Sequence, residues 1–447
     1  MASWTKQKGF PLISVSQRQD GDSRILKLTQ SKFTADGKVP ESEKDTTWMV
    51  PLTVITSSSP KTPILTTVLS SASSEFVLPN VTASEWVKLN QDSVGVFRVQ
   101  YSPEMLHDLL PAVESKTLQP IDRLTLHTDL FALVRAGKNS TVEVLRLLEA
   151  YKEDEEYSVW SGISSALSQI SLILDYTDFK ESYNVWGRRL LAPLFAKVGW
   201  QPKAEGEKHT DALLRALTLG RLAAYGEPTV LEEARKRFDA HVKGTQVGLE
   251  RVVAVSPDQS VSLSLFHSQV IPVDIRSAVY GAVARTASPA EFESFVKLYR
   301  ETEQHEEKTR LLRSMAIVRD PSLIERALAF ILSDEVRSQD AIGGIVSVAS
   351  SKVGREMAWS FLKEHDKLLV DRYSGNLLIS RLVSLGPSLS IAPSHPPLSP
   401  SLLVRRSSLL WRTSRPTKRQ PKWRRTSPAT SGQGLSDRSN RRSSRFA

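Results

Sequence analysis

V-G-V-F-R-V-Q-Y-S-P-E-M-L-H-D-L-L-P (residues 94–111) is where the chain changes character. Apolar residues alternate for part of the run up to Tyr101, the period of a strand. Ser102-Pro103-Glu104 then reads as a helix start, with proline at the first helical position, where its missing N–H costs nothing. Leu106, Leu109, Leu110 and Val113 follow at helical spacing and predict one helix. In residues 121–137, Leu126, Leu130, Leu133 and Val134 form one apolar face, and Gly137 sits where a helix C-terminus favours positive φ. Ser140-Thr141-Val142-Glu143 has the form of a capping box, and Val144, Leu147, Leu148 and Tyr151 continue the helical face. What precedes this stretch reads as strand, and nearly all that follows reads as helix.

Working outward toward the N-terminus, Asp20-Gly21 is a hairpin signal between residues 12–15 and 24–30. Residues 48–56, 64–69, 76–78, 86–89 and 96–100 complete about seven short strands, which fits a small β-sandwich. Toward the C-terminus, Thr229 to Glu232 and Ser288 to Glu291 read as further capping boxes. Phe292, Phe295, Val296 and Tyr299 make one stripe; Ile324, Ala327, Leu328 and Ile331 make another, after a helix start at Asp320-Pro321. Short connections between helices predict an α+β chain whose helical part is a superhelix, an irregular solenoid of the HEAT/armadillo kind. S-V-S-L-S-L-F (residues 260–266) alternates like a strand and fits no helix array.

The formal charge of +10 is concentrated at one end. Residues 385–447 hold 13 of the 59 Lys and Arg and one of the 49 Asp and Glu, which leaves 46 basic and 48 acidic residues before them. The body is thus nearly neutral, and the overall charge is no argument that it binds nucleic acid. The tail is rich in Ser, Pro and Arg and is expected to be disordered. Its W-R-T-S-R-P-T-K-R-Q-P-K-W-R-R (residues 411–425) is the one stretch that fits nucleic-acid contact or nuclear import. With no cysteine, disulfide and thiolate chemistry are excluded. No apolar run approaches the ~20 residues of a membrane span, and residues 1–8 lack a signal-peptide core, so a cytoplasmic location and no membrane partner are expected.

Several of these stretches carry a resemblance. V-G-V-F-R-V-Q-Y followed by P-x-D-R-L-x-L-x-x-D-L-F-x-L-x-R-A-G (residues 120–137) resembles the gluzincin-type zinc aminopeptidases, in the part that joins a small β-sandwich to a C-terminal helical superhelix. W-T-K-Q-K-G-F-P-L-I (residues 4–13), W-M-V-P-L-T (48–53), W-V-K-L-N (86–90), L-E-E-A-R-K-R-F (231–238) and L-L-I-S-R-L (377–382) extend the likeness over residues 3 to 384. It implies a remnant of a catalytic-domain exit in residues 1–10, a sandwich in 11–101, the superhelix in 102–384, interrupted by an insertion at 247–269 after a helix ending near Gly244, and an unrelated tail in 385–447. It also implies peptides as ligands, a separate catalytic half as partner, and zinc as the cofactor of the full-length enzymes.

The residues that carry that chemistry are missing. A zinc site of this class needs two histidines four apart on a helix, H-E-x-x-H, so that both rings meet one metal. His107 and His127 stand alone in separate helices, and His305-Glu306-Glu307 has Thr309 at the fourth position. G-A-M-E-N is absent as well. Each histidine therefore reads as a surface or capping residue, and Asp122, Arg123 and Asp129 as a structural salt bridge or cap. No catalytic or metal residue is assigned, and no cofactor is expected in this chain. By resemblance, Tyr373 and Arg381 are the candidates for groups that reach a peptide cavity. The expected function is the non-catalytic lid and substrate cavity of a peptide-trimming aminopeptidase. The alternative is a free-standing helical-repeat interaction module, with or without a nucleic-acid-binding tail.

Overall fold

The computed structural model describes residues 2–203, 205–254 and 271–373. A single-turn helix α1 (Ala2–Thr5) leads into seven strands: β1 (Pro11–Asp20), β2 (Ser23–Lys32), β3 (Val50–Thr56), β4 (Leu65–Leu69), β5 (Ser73–Pro79), β6 (Val87–Leu89) and β7 (Arg98–Tyr101). They form two sheets, in the orders β5-β2-β1-β7 and β4-β3-β6. β1 and β2 pair antiparallel from Pro11 with Lys32 to Asp20 with Ser23, and Gly21 turns the hairpin at φ 56°. β7 runs parallel to β1, with Ile13 opposite Val99, so residues 98–101 return to the first strand across the whole sheet region. Leu12, Ile13, Leu26, Leu28, Val50, Leu52, Val54 and Ile55 fill the interior. All seven expected strands are present.

The helix expected after Ser102 is two. Ser102 caps α2 (Pro103–Asp108), its side chain accepting from the Met105 N–H, and α3 (Leu110–Glu114) follows. Pro111 explains the break, because it has no N–H to donate and its ring would clash with the His107 carbonyl one turn back. α4 (Pro120–Arg135) then ends at Gly137, which has φ 69°, and the Ser140–Glu143 capping box opens α5 (Thr141–Glu149).

Beyond it come α6 (Tyr157–Leu174), α7 (Lys180–Val198), α8 (His209–Ala224), α9 (Pro228–Ala254), α10 (Arg276–Ala284), α11 (Pro289–Glu301), α12 (His305–Met315), α13 (Pro321–Leu332), α14 (Ser338–Val348), α15 (Lys352–Glu364) and α16 (Asp366–Tyr373). The Ser288–Glu291 box and the Asp320 cap are formed as expected. Thr229 is not a cap: Pro228 takes the first helical position, the Leu231 N–H bonds the Glu227 carbonyl, and Thr229 lies inside the first turn. α9 also runs on past Gly244 to Ala254, so the opening of the expected interruption is helical. The alternating segment at 260–266 and the basic tail lie outside the described residues.

The even-numbered helices form a row, α4 against α6, α6 against α8, and so on to α14. Several contacts fix a common direction. Arg276 and Glu307, at the starts of α10 and α12, lie 3.4 Å apart, while a Cβ on Gly281 would lie 3.5 Å from Ile317 beyond the end of α12. His305 and Asp340, at the starts of α12 and α14, are 3.7 Å apart. Buried aromatic and aliphatic residues hold the row to the intervening helices, among them Tyr151, Trp160, Tyr225, Phe238, Tyr280, Phe292 and Phe295.

Candidate functional site

The two residues expected to reach a cavity are not brought together within the described residues. Tyr373 is the last residue of α16, and Arg381 lies beyond what is described.

The charged residues of α4 instead build a buried polar layer where the sheets meet the helices. Lys88, in the all-buried strand β6, donates to Asp122 at 2.7 Å and to the Leu89 carbonyl at 3.0 Å. Asp122 is fully buried and Lys88 is 3% exposed. Arg123 forms a two-pronged pair with Asp154, at 2.6 and 3.2 Å, and donates to the Leu118 carbonyl. Asp129 accepts from Arg98 at 2.8 Å and from the Val99 N–H at 3.0 Å. These are structural ion pairs, as expected. Asp122 and Arg123, however, are not partners of each other; each reaches a residue more than thirty positions away. Burial pushes Asp129 up to about 6, against the opposing pull of the Val99 N–H and Arg98.

His127 overturns the expectation that each histidine is a surface or capping residue. It is 1% exposed and packs edge-on against Tyr151 at 5.6 Å, with the Val159 backbone as the only polar group among the described residues favouring its charged form at short range. Burial pushes its pKa down to about 4, so the ring is neutral at pH 7. It fits because α6 presents Gly162 to it: a Cβ there would lie 2.7 Å from His127 Cε1 and 2.9 Å from Leu124 Cδ1. Gly162→Ala should therefore cost about 1–3 kcal/mol of stability through overpacking, despite alanine's better helix propensity. Urea titration checks this, and an unchanged or raised midpoint would mean that the ring gives way freely.

His241 is buried as well, against the same expectation. Its Nε2 lies 3.1 Å from the Tyr280 hydroxyl, which donates to Glu307 at 2.8 Å, and Arg276 and Arg310 pair with the same carboxylate. His305, by contrast, sits at the first turn of α12 beside Asp340, and His107 is exposed.

In both networks every carboxylate is held by cations or by backbone N–H groups, so neither offers a free base or nucleophile to a substrate. The residues present do not fit zinc either. No three His, Cys, Asp or Glu side chains converge among the described residues, and H-E-x-x-H occurs nowhere in the sequence. Signals for the buried pairs existed in part. Lys88 interrupts the apolar W-V-K-L, and a lysine in a strand with no exposed face requires a buried acid.

The architecture is thus a small two-sheet region feeding a row of packed helices. Residues 86–392 match the ERAP1-like C-terminal domain, and the chain belongs to that family. The match begins in the sheet region, at β6, and extends to residue 392, past the expected limit of 384. The chain is 34% identical to aminopeptidase M1 of Arabidopsis thaliana over 86% of its own length and 42% of the relative's. It is 30% identical to the puromycin-sensitive aminopeptidase of Caenorhabditis elegans, over 84% and 37%. Aminopeptidase M1-A of Oryza sativa subsp. japonica is 32% identical, over 85% and 40%. The chain thus spans about two fifths of the length of the curated relatives it matches.

Proposed function

We propose that the chain acts as the non-catalytic C-terminal portion of a peptide-trimming aminopeptidase of the puromycin-sensitive type, a lid over the peptide-holding cavity. The observation that carries this reading is the family match to a C-terminal domain in a chain without H-E-x-x-H or G-A-M-E-N. The domain division follows the resemblance: a catalytic-domain remnant in residues 1–10, a sandwich in 11–101, an irregular superhelical solenoid in 102–384 and a basic tail in 385–447. On this reading Tyr373 and Arg381 reach the cavity, where a ring and a guanidinium hold a peptide's side chain and carboxylate. Zinc belongs to the separate catalytic half. The location is cytoplasmic; among the described residues no helix is long and apolar enough to cross a membrane.

Exposed apolar residues support a missing partner. Val94 and Val96, in the loop before β7, are 80% and 68% exposed, and Ile121 at the start of α4 is 42% exposed. The purified chain should bind no stoichiometric zinc by elemental analysis and hydrolyse no aminoacyl reporter. Alone it should oligomerise or aggregate, and co-expression with a catalytic half carrying H-E-x-x-H should give a soluble heterodimer. Chelator-sensitive turnover with one equivalent of zinc would sink the non-catalytic reading. A monodisperse monomer that ignores the catalytic half would favour the free-standing helical module.

A further inference from the structure

Side chains from two distant parts of the chain meet at the turn between α6 and α7. The Tyr176 hydroxyl, just past the end of α6, accepts from Arg355 of α15 at 2.9 Å, a hydrogen bond across 179 positions. The next longest side-chain bond among the described residues, Gln17 with Asp108, spans 91. The Arg355 guanidinium also lies 5.3 Å from the centre of the Tyr176 ring, and Lys352 Nζ lies at the same distance. Arg355 is buried.

Their own helix does not explain where these two cations stand. Lys352 and Arg355 fall within the first four residues of α15, whose first turn holds no acid, and cations are unfavourable at a helix N-terminus. What favours them lies across the contact: the last carbonyls of α6 carry partial negative charge, and an aromatic ring attracts a cation to its face. Both sides of the contact are firmly mounted. Ser351 accepts from the Gly354 N–H at 3.1 Å, and a Cβ on Gly354 would lie 2.1 Å from the Val348 carbonyl oxygen, so α15 starts hard against the end of α14. Lys180, at the start of α7, reaches back to Asp175 at 2.7 Å and to the Ser171 carbonyl at 2.9 Å, which fixes the turn to the end of α6.

Packing runs from α6 through α8, α10, α12 and α14 to α15, each helix against the next, and the Tyr176 contact returns to α6. The geometry points to a latch: Tyr176, with Arg355 and Lys352, closes this run of helices on itself, and its release lets the run open without unfolding any helix. Helices held only by their neighbours can change the curvature of the row through small shifts at every interface. A bond between two distant members removes that freedom. The contact is suited to release, because it consists of one hydrogen bond and two cation–ring contacts between elements that are each held in place by other means. Arg355 Nη2, moreover, is buried with no hydrogen-bond partner among the described residues, so opening returns an unsatisfied donor to water. This inference does not depend on the aminopeptidase reading.

The test is a distance measurement on the full chain. Because the sequence has no cysteine, Thr177→Cys and Lys363→Cys, both at exposed positions, supply the only two thiols for nitroxide labels, one on each side of the contact. Double electron–electron resonance should give one short, narrow distance distribution. Arg355→Met should move the main population to longer distance by about 10 Å, the spacing of one packed helix. Tyr176→Phe, which keeps the ring and loses only the hydroxyl, should add a longer population beside the short one. Far-ultraviolet circular dichroism should be unchanged in both variants. A broad distribution without either substitution would overturn the proposal, as would a single short population in Arg355→Met, since packing from helix to helix would then set the curvature alone. If Arg355→Met does not fold, a single short population in Tyr176→Phe overturns it equally. Loss of helicity in Tyr176→Phe would make the contact part of the helical core and overturn the latch.

Discussion

Asp122→Ala should destabilise the fold by about 3–5 kcal/mol, the largest single-residue effect expected, because it strands the Lys88 ammonium in the interior. Burial already pushes the Lys88 pKa down, and Asp122 is the principal group pushing it back up. The ammonium's other partners are carbonyls, at 3.0 and 3.3 Å, which ease its burial without neutralising it. Replacing both residues, as Lys88→Met/Asp122→Leu, should recover most of the stability, since well-packed apolar residues avoid the desolvation cost of both charges. Urea unfolding of Lys88→Met, Asp122→Leu and the double closes the cycle. A change under about 1 kcal/mol for Asp122→Ala would show that Lys88 reaches water or another acid.

The second large effect is a pH dependence. His127 has its pKa lowered to about 4 from the ordinary 6.5, so its neutral form contributes stability that is fully present above pH 6.5 and lost as pH falls through 4. Asp129 has the opposite sign. Its pKa, raised to about 6 from 3.8, makes the folded state take up a proton first, so its contribution is fully present below pH 3.8 and lost as pH rises through 6. Between pH 4 and 6 the two slopes oppose each other. In His127→Leu only the Asp129 slope remains, so the stability of the variant relative to wild type should rise by about 3 kcal/mol from pH 7 to pH 4. Denaturant melts at each pH measure the difference directly, whatever the substitution costs at neutral pH. A pH-independent difference would mean that His127 is not held buried and neutral.

The local features of this fold were legible in the sequence, and the distant ones were not. Gly137, Ser140 and Glu143, Ser288 and Glu291, and Asp320 each act within a few residues of themselves, so their caps and turns could be read directly. The two local failures have a common cause in proline. Pro111 splits the helix after Ser102, and Pro228 moves a helix start one residue ahead of Thr229. The polar layer is different in kind. Lys88 with Asp122, Arg98 with Asp129 and Arg123 with Asp154 pair across more than thirty residues, and no helical or strand period records such a partner. The burial of His127 depends on Gly162 in another helix, which the sequence shows as an ordinary helix-interior glycine. Tyr373 and Arg381 rest on resemblance alone.

The bond between the Val99 N–H and the Asp129 carboxylate also bears on where the sheet stops. β7 is the last strand of its sheet, and an outermost strand offers unpaired backbone groups to any extended chain that drifts past. Asp129 occupies one of those donors with a charge, and Arg98 holds that charge in place from the same strand. A side chain from the first long helix thus ends the sheet at β7, and an incoming strand would have to displace the Arg98–Asp129 ion pair to extend it there. The same bond that fastens helix to sheet also closes this one edge to a further strand.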